Sequence, residues 1–116
     1  MQIPSGRFFA IEDLKQVRSE VAKLYYEFLR IPAMSAGIYV LPAGAADPQK
    51  PHKEDELYYV VRGRARMKIT GEDTEQDEEV KTGSVIFVAK NIQHHFYQIV
   101  EELLMLVFFA PAESSG

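Results

Sequence analysis

With 116 residues, 47% of them hydrophobic and 26% charged, the chain has the size and balance of one globular domain and is too apolar for intrinsic disorder. A net charge of −4, with Arg7, Lys15, Lys23, Arg62, Arg64, Arg66 and Lys68 scattered along the chain, speaks against nucleic acid as a partner. Without cysteine there is no disulfide framework, thiolate metal site or cysteine nucleophile, so any metal must be held by nitrogen and oxygen.

The first residues, MQIPSGRFFAIEDL, carry no basic segment ahead of an apolar core of secretory length, and no later apolar run reaches membrane-spanning length. The expectation is a cytoplasmic protein without a membrane partner. Ile11, Leu14 and Val17 recur at helical spacing with Glu12 and Asp13 in the first turn, which predicts a short N-terminal helix over Ile11 to Val17. From Leu24 onward the runs LYYEFLR, SAGIYVLPAG, ELYYVVRG, ARMKITG, EEVKTGSVIFVA, HFYQIV and LLMLVFFAP are short, β-rich and separated by turn residues. Strands are expected over Glu56 to Arg62, Val85 to Val88 and Phe96 to Val100, with no helix longer than about three turns. The acidic stretch from Thr70 to Glu79 reads as a solvated hairpin loop, lacking the Asp/Asn spacing of a calcium loop. Arg62, Arg64, Arg66 and Lys68 read as a solvated or edge-guarding face, and Ala112 to Gly116 as a loose tail.

Leu57 to Val61, Val85 to Val88 and Leu103 to Phe109 are apolar at both parities, so both faces of these strands should be buried. A second subunit, or else a helix or N-terminal segment, would cover the outer face. A homodimer is the expected assembly.

Two of the three histidines stand together at His94 and His95, and the third, His52, lies just before the ELYYVVRG run. Strand alternation puts Glu56, Tyr58 and Val60 on one face and brings His52 to that side if the approach is extended. In the later strand His94 shares a face with Phe96 and Gln98, and His95 with Tyr97 and Ile99. Two histidines and one carboxylate can thus converge and leave positions open for a ligand, a set that suits iron, manganese, zinc, nickel or copper. The competing reading makes His52 a loop residue, Glu56 a solvated charge and His94 a structural strand residue. Tyr58, Phe96, Tyr39 and Met67 are wall candidates, and His95 belongs to the outside.

At these residues the chain resembles the cupin superfamily, in particular its small single-domain conserved-barrel type. The first cupin motif, G-x5-H-x-H-x3-E-x6-G, is met by Gly44, Lys50, His52, Glu56 and Gly63 at the same spacing. The second, G-x5-P-x-G-x2-H-x3-N, meets Gly83, Ala89, Asn91, His94 and Gln98. The resemblance runs from about Tyr25 to Pro111. It implies an all-β fold, a small double-stranded β-helix or jelly-roll barrel within a single domain of residues 1–116 whose barrel core spans about 25–111, and a divalent metal on His52, Glu56 and His94. Gly63 and Gly83 fit turns at positive φ, and Asn91 is the common substitute for glycine there.

Lys50 occupies the place of the family's first histidine, and an ammonium group is no ligand at neutral pH. It should point away from the metal, with the amide oxygen of Gln49 or water completing the shell. The resemblance implies a metal-dependent enzyme acting on a small, oxygen-rich organic molecule by oxygenation, isomerisation or decarboxylation. No catalytic residue is assigned, although Tyr58 or Lys50 would serve as a general base if either reached the pocket. The alternative is a non-catalytic module that holds a metal or small ligand in a partly degenerate site.

Overall fold

The computed structural model describes residues 5–114. Among them one helix, α1 (Ile11–Val21), precedes six strands: β1 (Tyr25–Ile31), β2 (Met34–Leu41), β3 (Asp55–Thr70), β4 (Glu75–Lys81), β5 (Val85–Val88) and β6 (Gln93–Ala110). The helix runs four residues past the expected Val17 because no glycine or proline interrupts it; it stops at Ala22, in the left-handed conformation at φ 54°. No helix among the described residues is long and apolar enough to cross a membrane.

The strands pair antiparallel in the order β1-β2-β6-β3-β4, with β5 also on β3. The runs that look separate in sequence are continuous here: ELYYVVRG and ARMKITG form the 16-residue β3, and HFYQIV and LLMLVFFAP the 18-residue β6. Both strands bend midway, where their mutual register shifts between Val60 and Arg66. Bulges of this kind bend a strand and let one sheet curl into a barrel.

Gly63 sits at that bend, not at a turn between strands. Its φ is 114°, and a Cβ there would lie 2.3 Å from the Glu102 carbonyl oxygen of β6. The bend also reverses side-chain parity. Even-numbered Glu56, Tyr58 and Val60 are buried before Gly63, whereas even-numbered Arg64 is exposed and Arg66 and Lys68 half-exposed after it. β6 does the same at Gln98, whose φ of 47° breaks the alternation. Gln98 is therefore exposed and Ile99 buried, the reverse of the uninterrupted alternation expected from His94 onward.

The barrel interior holds Tyr39, Leu41, Tyr58, Val60, Met67, Phe96, Leu103, Met105, Val107 and Phe109 among its buried side chains. A second cluster outside the sheet packs Leu14 of α1 on Ile38, Val40 and Leu104, with Tyr26, Phe28 and Val61 around it. The helix thus covers one part of the outer face only. The expected burial of both faces holds for Leu103, Leu104 and Met105, but Leu57, Tyr59, Val85 and Phe87 are 40%, 41%, 62% and 60% exposed.

The acidic segment is largely strand, not loop. β4 lies along the far half of β3, with Lys68 opposite Asp77 and Arg66 opposite Glu79. Ion pairs join Arg64 to Glu79 (3.8 Å), Arg66 to Asp77 (3.0 Å) and Lys68 to Glu75 (3.0 Å). The basic stripe and the acidic run are two halves of one ladder at the sheet edge. Exposed pairs of this sort are screened by solvent, so they serve register and solubility more than stability. Tyr97 donates to Asp77, and this bond, joined by Arg66, holds the Asp77 carboxyl below its ordinary value.

Candidate metal centre

Glu56 and Tyr58 come from the near half of β3, His94 from the start of β6, and His52 and Gln49 from the loop that leads into β3. The loop is not free to wander. Asp47 accepts from the Tyr39 hydroxyl (2.6 Å), the Gln49 side-chain amide (2.6 Å), the Gln49 backbone N–H (3.2 Å) and the Phe96 N–H (3.0 Å). The His52 carbonyl accepts from the N–H of Asn91 (2.7 Å), which adopts φ 63° as a glycine substitute would. The turn carrying Asn91 is thereby fastened to the loop carrying His52.

Donor atoms of His52, Glu56 and His94 lie within 4.8 Å of one another. Glu56 and His94 are each only 2% exposed, and His52 is half-buried. Each imidazole is oriented from behind. His94 Nδ1 faces the Ile92 carbonyl at 2.8 Å, and a carbonyl can only accept, so Nδ1 carries a proton. His52 Nδ1 meets the Glu113 carboxylate at 2.9 Å. Both Nε2 atoms are therefore turned inward, His94 Nε2 to 3.0 Å from Glu56 Oε1 and His52 Nε2 to 3.9 Å from Glu56 Oε2. Neither approach has the alignment of a hydrogen bond, and both Glu56 oxygens are buried without a donor.

Gln49 adds a fourth residue and a third oxygen. Its amide N–H donates to Asp47, which turns Oε1 toward the cluster, 3.3 Å from His52 Nε2 and 2.7 Å from the Tyr58 hydroxyl that donates to it. Tyr58, fully buried, also has its hydroxyl 3.1 Å from His94 Nε2. Burial and the Glu56 charge hold its phenol well above the ordinary value, so it stays protonated. For His52, burial works toward a lower pKa, but the Glu113 hydrogen bond and the Glu56, Glu113 and Glu54 charges outweigh it and raise the imidazole above its usual range.

A carboxylate with two undonated oxygens, an amide oxygen and two inward imidazole nitrogens form an electron-rich centre. The donor set fits a divalent ion: nitrogen and oxygen ligands, with each histidine fixed by an outer acceptor. Lys50 is exposed, and Gln49 lies beside the cluster. His95 sits on the opposite face of β6 across from Lys68, its ring 5.6 Å from that of Tyr97.

The cluster opens into a cavity of about 250 Å³ whose wall includes Tyr25, Tyr39, Gln49, Val107, Phe109 and Glu113. Tyr39 and Tyr58 reach it, whereas Phe96 packs edge-on against Tyr58 (5.1 Å) and, like Met67, stays in the core. Sequence reasoning missed Asp47, Tyr25 and Glu113. Asp47 had a local signal, an Asp able to accept from the N–H two residues on. The other two had none, because their placement depends on pairing across the barrel.

Comparison with known proteins identifies the fold and the family. The chain is 42% identical over 106 residues to an uncharacterized protein of Streptomyces coelicolor, covering 91% of this chain and 97% of the relative. An RmlC-like cupin of Methanocaldococcus jannaschii with a double-stranded β-helix fold superposes with a TM-score of 0.62 at 22% identity, over 75% of this chain and 78% of that one. A variant of Bacillus subtilis oxalate decarboxylase gives 0.67 at 24% identity, and the hydroxypropylphosphonic acid epoxidase of S. wedmorenis 0.60 at 17%. These cover 72% and 73% of this chain but only 22% of the decarboxylase and 49% of the epoxidase, so they establish the barrel alone. The family model described as "Cupin domain" matches residues 37–109, which include both motifs and every strand from β3 to β5, and the chain belongs to the cupin family.

Proposed function

We propose that His52, Glu56, His94 and the Gln49 amide oxygen hold a divalent metal, and that the adjoining cavity presents a small organic molecule to it. The buried Glu56 carboxylate, undonated and faced by two imidazole nitrogens, carries this reading. Burying a carboxylate with no hydrogen-bond donor to either oxygen costs several kcal/mol in order of magnitude, and a cation held with both imidazoles offsets that cost. A metal bound here would supply Lewis-acid or oxygen-activating chemistry to the ligand. The related epoxidase has been crystallised with Fe(II) and, with substrate, with Co(II).

The chain's own residues contribute shape and hydrogen bonds. Among the described residues no lysine or arginine lines the cavity, and its wall is largely aromatic and aliphatic. Tyr25 lies flat over Gly37, where a Cβ would sit 2.2 Å from its ring, and its buried hydroxyl has no partner. Burial and the nearby Glu113 charge push its pKa up, so Tyr25 is a neutral donor available to a ligand oxygen. The matching ligand has one oxygen-bearing end at the cluster, an apolar remainder and an acceptor within reach of Tyr25. Elemental analysis of untagged protein, followed by turnover assays on hydroxy- and keto-acids of up to about six carbons, tests the enzyme reading; a metal-free preparation that also fails to take up added Mn(II), Fe(II) or Co(II) contradicts it.

A second reading is favoured by one observation. Lys50 is exposed and absent from the cavity wall, Tyr58 is held protonated, and Glu113 is engaged by His52, so no group among the described lining residues is free to act as a base. A module that retains a metal or ligand without turning it over fits this. Recovery of bound ligand unchanged after prolonged incubation with loaded protein separates it from an enzyme.

For the assembly, a homodimer accounts for the open apolar face. Leu57 stands opposite Phe87 and Phe108, and Tyr59 opposite Val85 and Leu106, so six uncharged side chains form one patch across β5, β3 and β6. A two-fold axis through it would set each patch on its copy. Light scattering should give a dimer mass for the native chain and a monomer mass for Phe87→Glu, and a native monomer at high concentration would contradict the proposal.

A further inference from the structure

We propose that Glu113 is the positioning residue of His52, and that the segment following β6 is built to deliver it; this deepens the metal-centre reading and rests on it. Residues 111–114 follow a strand that ends at Ala110; the loose tail expected over Ala112 to Gly116 covers the last three of them, and its residues 115–116 lie outside those described. Residues 112–114 are instead fastened at successive positions. The Ala112 N–H donates to the Pro32 carbonyl (3.4 Å), the Glu113 N–H to Ser35 Oγ (2.9 Å), and the Arg30 guanidinium donates to the Glu113 carbonyl. Ser114 donates through both its N–H (3.2 Å) and its hydroxyl (2.7 Å) to Glu54 Oε2.

Two of these receptors are buried polar groups whose side chains have no other hydrogen-bond partner among the described residues. Ser35 is fully buried in β2, and Glu54, a carboxylate at 6% exposure, has Ser114 as the donor to its only satisfied oxygen. Buried polar groups persist where a partner meets them, and here the partner in both cases is the segment itself. Between these two anchors stands Glu113, whose carboxylate reaches inward to His52 Nδ1 at 2.9 Å and forms part of the cavity wall.

The consequence is directional. His94 belongs to a strand and takes its orientation from the Ile92 carbonyl two residues away. His52 precedes β3, is half-buried, and has no such local acceptor for Nδ1. An acceptor at Nδ1 keeps that nitrogen protonated in the neutral ring and leaves the Nε2 lone pair facing Glu56 and Gln49. Glu113 thus does for His52, from 61 positions along the chain, what the backbone does for His94.

The test compares the full-length chain with Glu113→Ala, Glu113→Gln and Ser114→Ala. In metal-free protein, long-range ¹H–¹⁵N spectra of the three histidines, taken at a pH where the rings are neutral, should show His52 as the Nδ1–H tautomer. In Glu113→Ala it should move toward Nε2–H, and in Glu113→Gln, whose amide oxygen still accepts, it should stay. Titration with Co(II), followed by its visible bands, should weaken about 10- to 100-fold in Glu113→Ala and recover most of that in Glu113→Gln. Ser114→Ala, which loosens the segment without touching the carboxylate, should weaken Co(II) binding by a smaller factor and supplies the comparison if Glu113→Ala does not fold. An unchanged tautomer in Glu113→Ala, or native Co(II) affinity in both Glu113→Ala and Ser114→Ala, overturns the proposal. A native chain that binds no Co(II) overturns the metal reading instead, and the tautomer comparison still decides the role of Glu113.

Discussion

β3 passes through two regions that treat charge in opposite ways. Beyond Gly63 it presents Arg64, Arg66 and Lys68 to solvent, each paired with an acid on β4 at 3.0 to 3.8 Å. Before Gly63 it buries Glu56, whose two oxygens receive no hydrogen bond and whose neighbours are the inward faces of two histidines. The exposed charges are answered by flexible side chains at the surface; the buried one is faced by two imidazoles alone. Carboxylates are tolerated inside a protein when something neutralises them, and for Glu56 that is either a protonated imidazole or the cation proposed above. One backbone bend around Gly63 produces both regions, because parity reverses after Val60 and turns even-numbered residues from the interior to the solvent.

The largest effect should come from disturbing that bend. Gly63→Ala combines a φ of 114° with a 2.3 Å approach to the Glu102 carbonyl oxygen, and we expect a loss of about 3 kcal/mol or more in denaturant unfolding, since both strain and overlap contribute. Loading the site should act in the other direction. Metal at a hundredfold excess over its dissociation constant should stabilise the chain by about 2.7 kcal/mol, and Glu56→Gln should abolish that gain. The same substitution sharpens the contrast in metal-free protein. With the buried charge removed and an amide N–H able to donate to His94 Nε2, Glu56→Gln in chelator should be more stable than the native chain by about 1 kcal/mol or more. A chelator-treated variant less stable than native would mean that the chain already satisfies Glu56. The smallest effect belongs to the ladder: Asp77→Asn should change stability least of the set, and less still in high salt. Because the Asp77 carboxyl is held below its ordinary value, what it contributes should be present above the normal carboxylate range and be lost as pH falls through its lowered pKa.

The parts of this molecule that were legible in sequence are those that follow from strand alternation over a few residues. Glu56, Tyr58 and Val60 fall inward, His94 inward and His95 outward, because period two holds between bends. The motif spacing carried the pairing of His52 with His94. Alternation could not reveal where it would fail, and Gln98, an ordinary residue at positive φ, shifts Ile99 into the core. The segment 75–79 is so acidic that it resembles a loop; it is a strand because a complementary basic strand lies beside it, which is a tertiary fact. Leu57, Tyr59, Val85 and Phe87 read as core because apolar residues usually are, yet α1 reaches only the part of the sheet around Ile38, Val40 and Leu104. Glu113 left no trace in the local pattern, since its meaning depends on Ser35, Glu54 and His52, all distant in sequence.

The account stands most directly on a pair of neighbouring histidines with opposite orientation. His94 faces Glu56 at 3.0 Å inside the barrel, and His95, one residue on, lies against Tyr97 on the outer face. Metal affinity of untagged native chain, His94→Ala and His95→Ala, measured by calorimetric titration with Mn(II) or Co(II), separates them. We expect His94→Ala to abolish most binding, while His95→Ala stays within a factor of about two of native. Equal loss in both variants, or binding preserved in His94→Ala, would contradict a metal centre at this site.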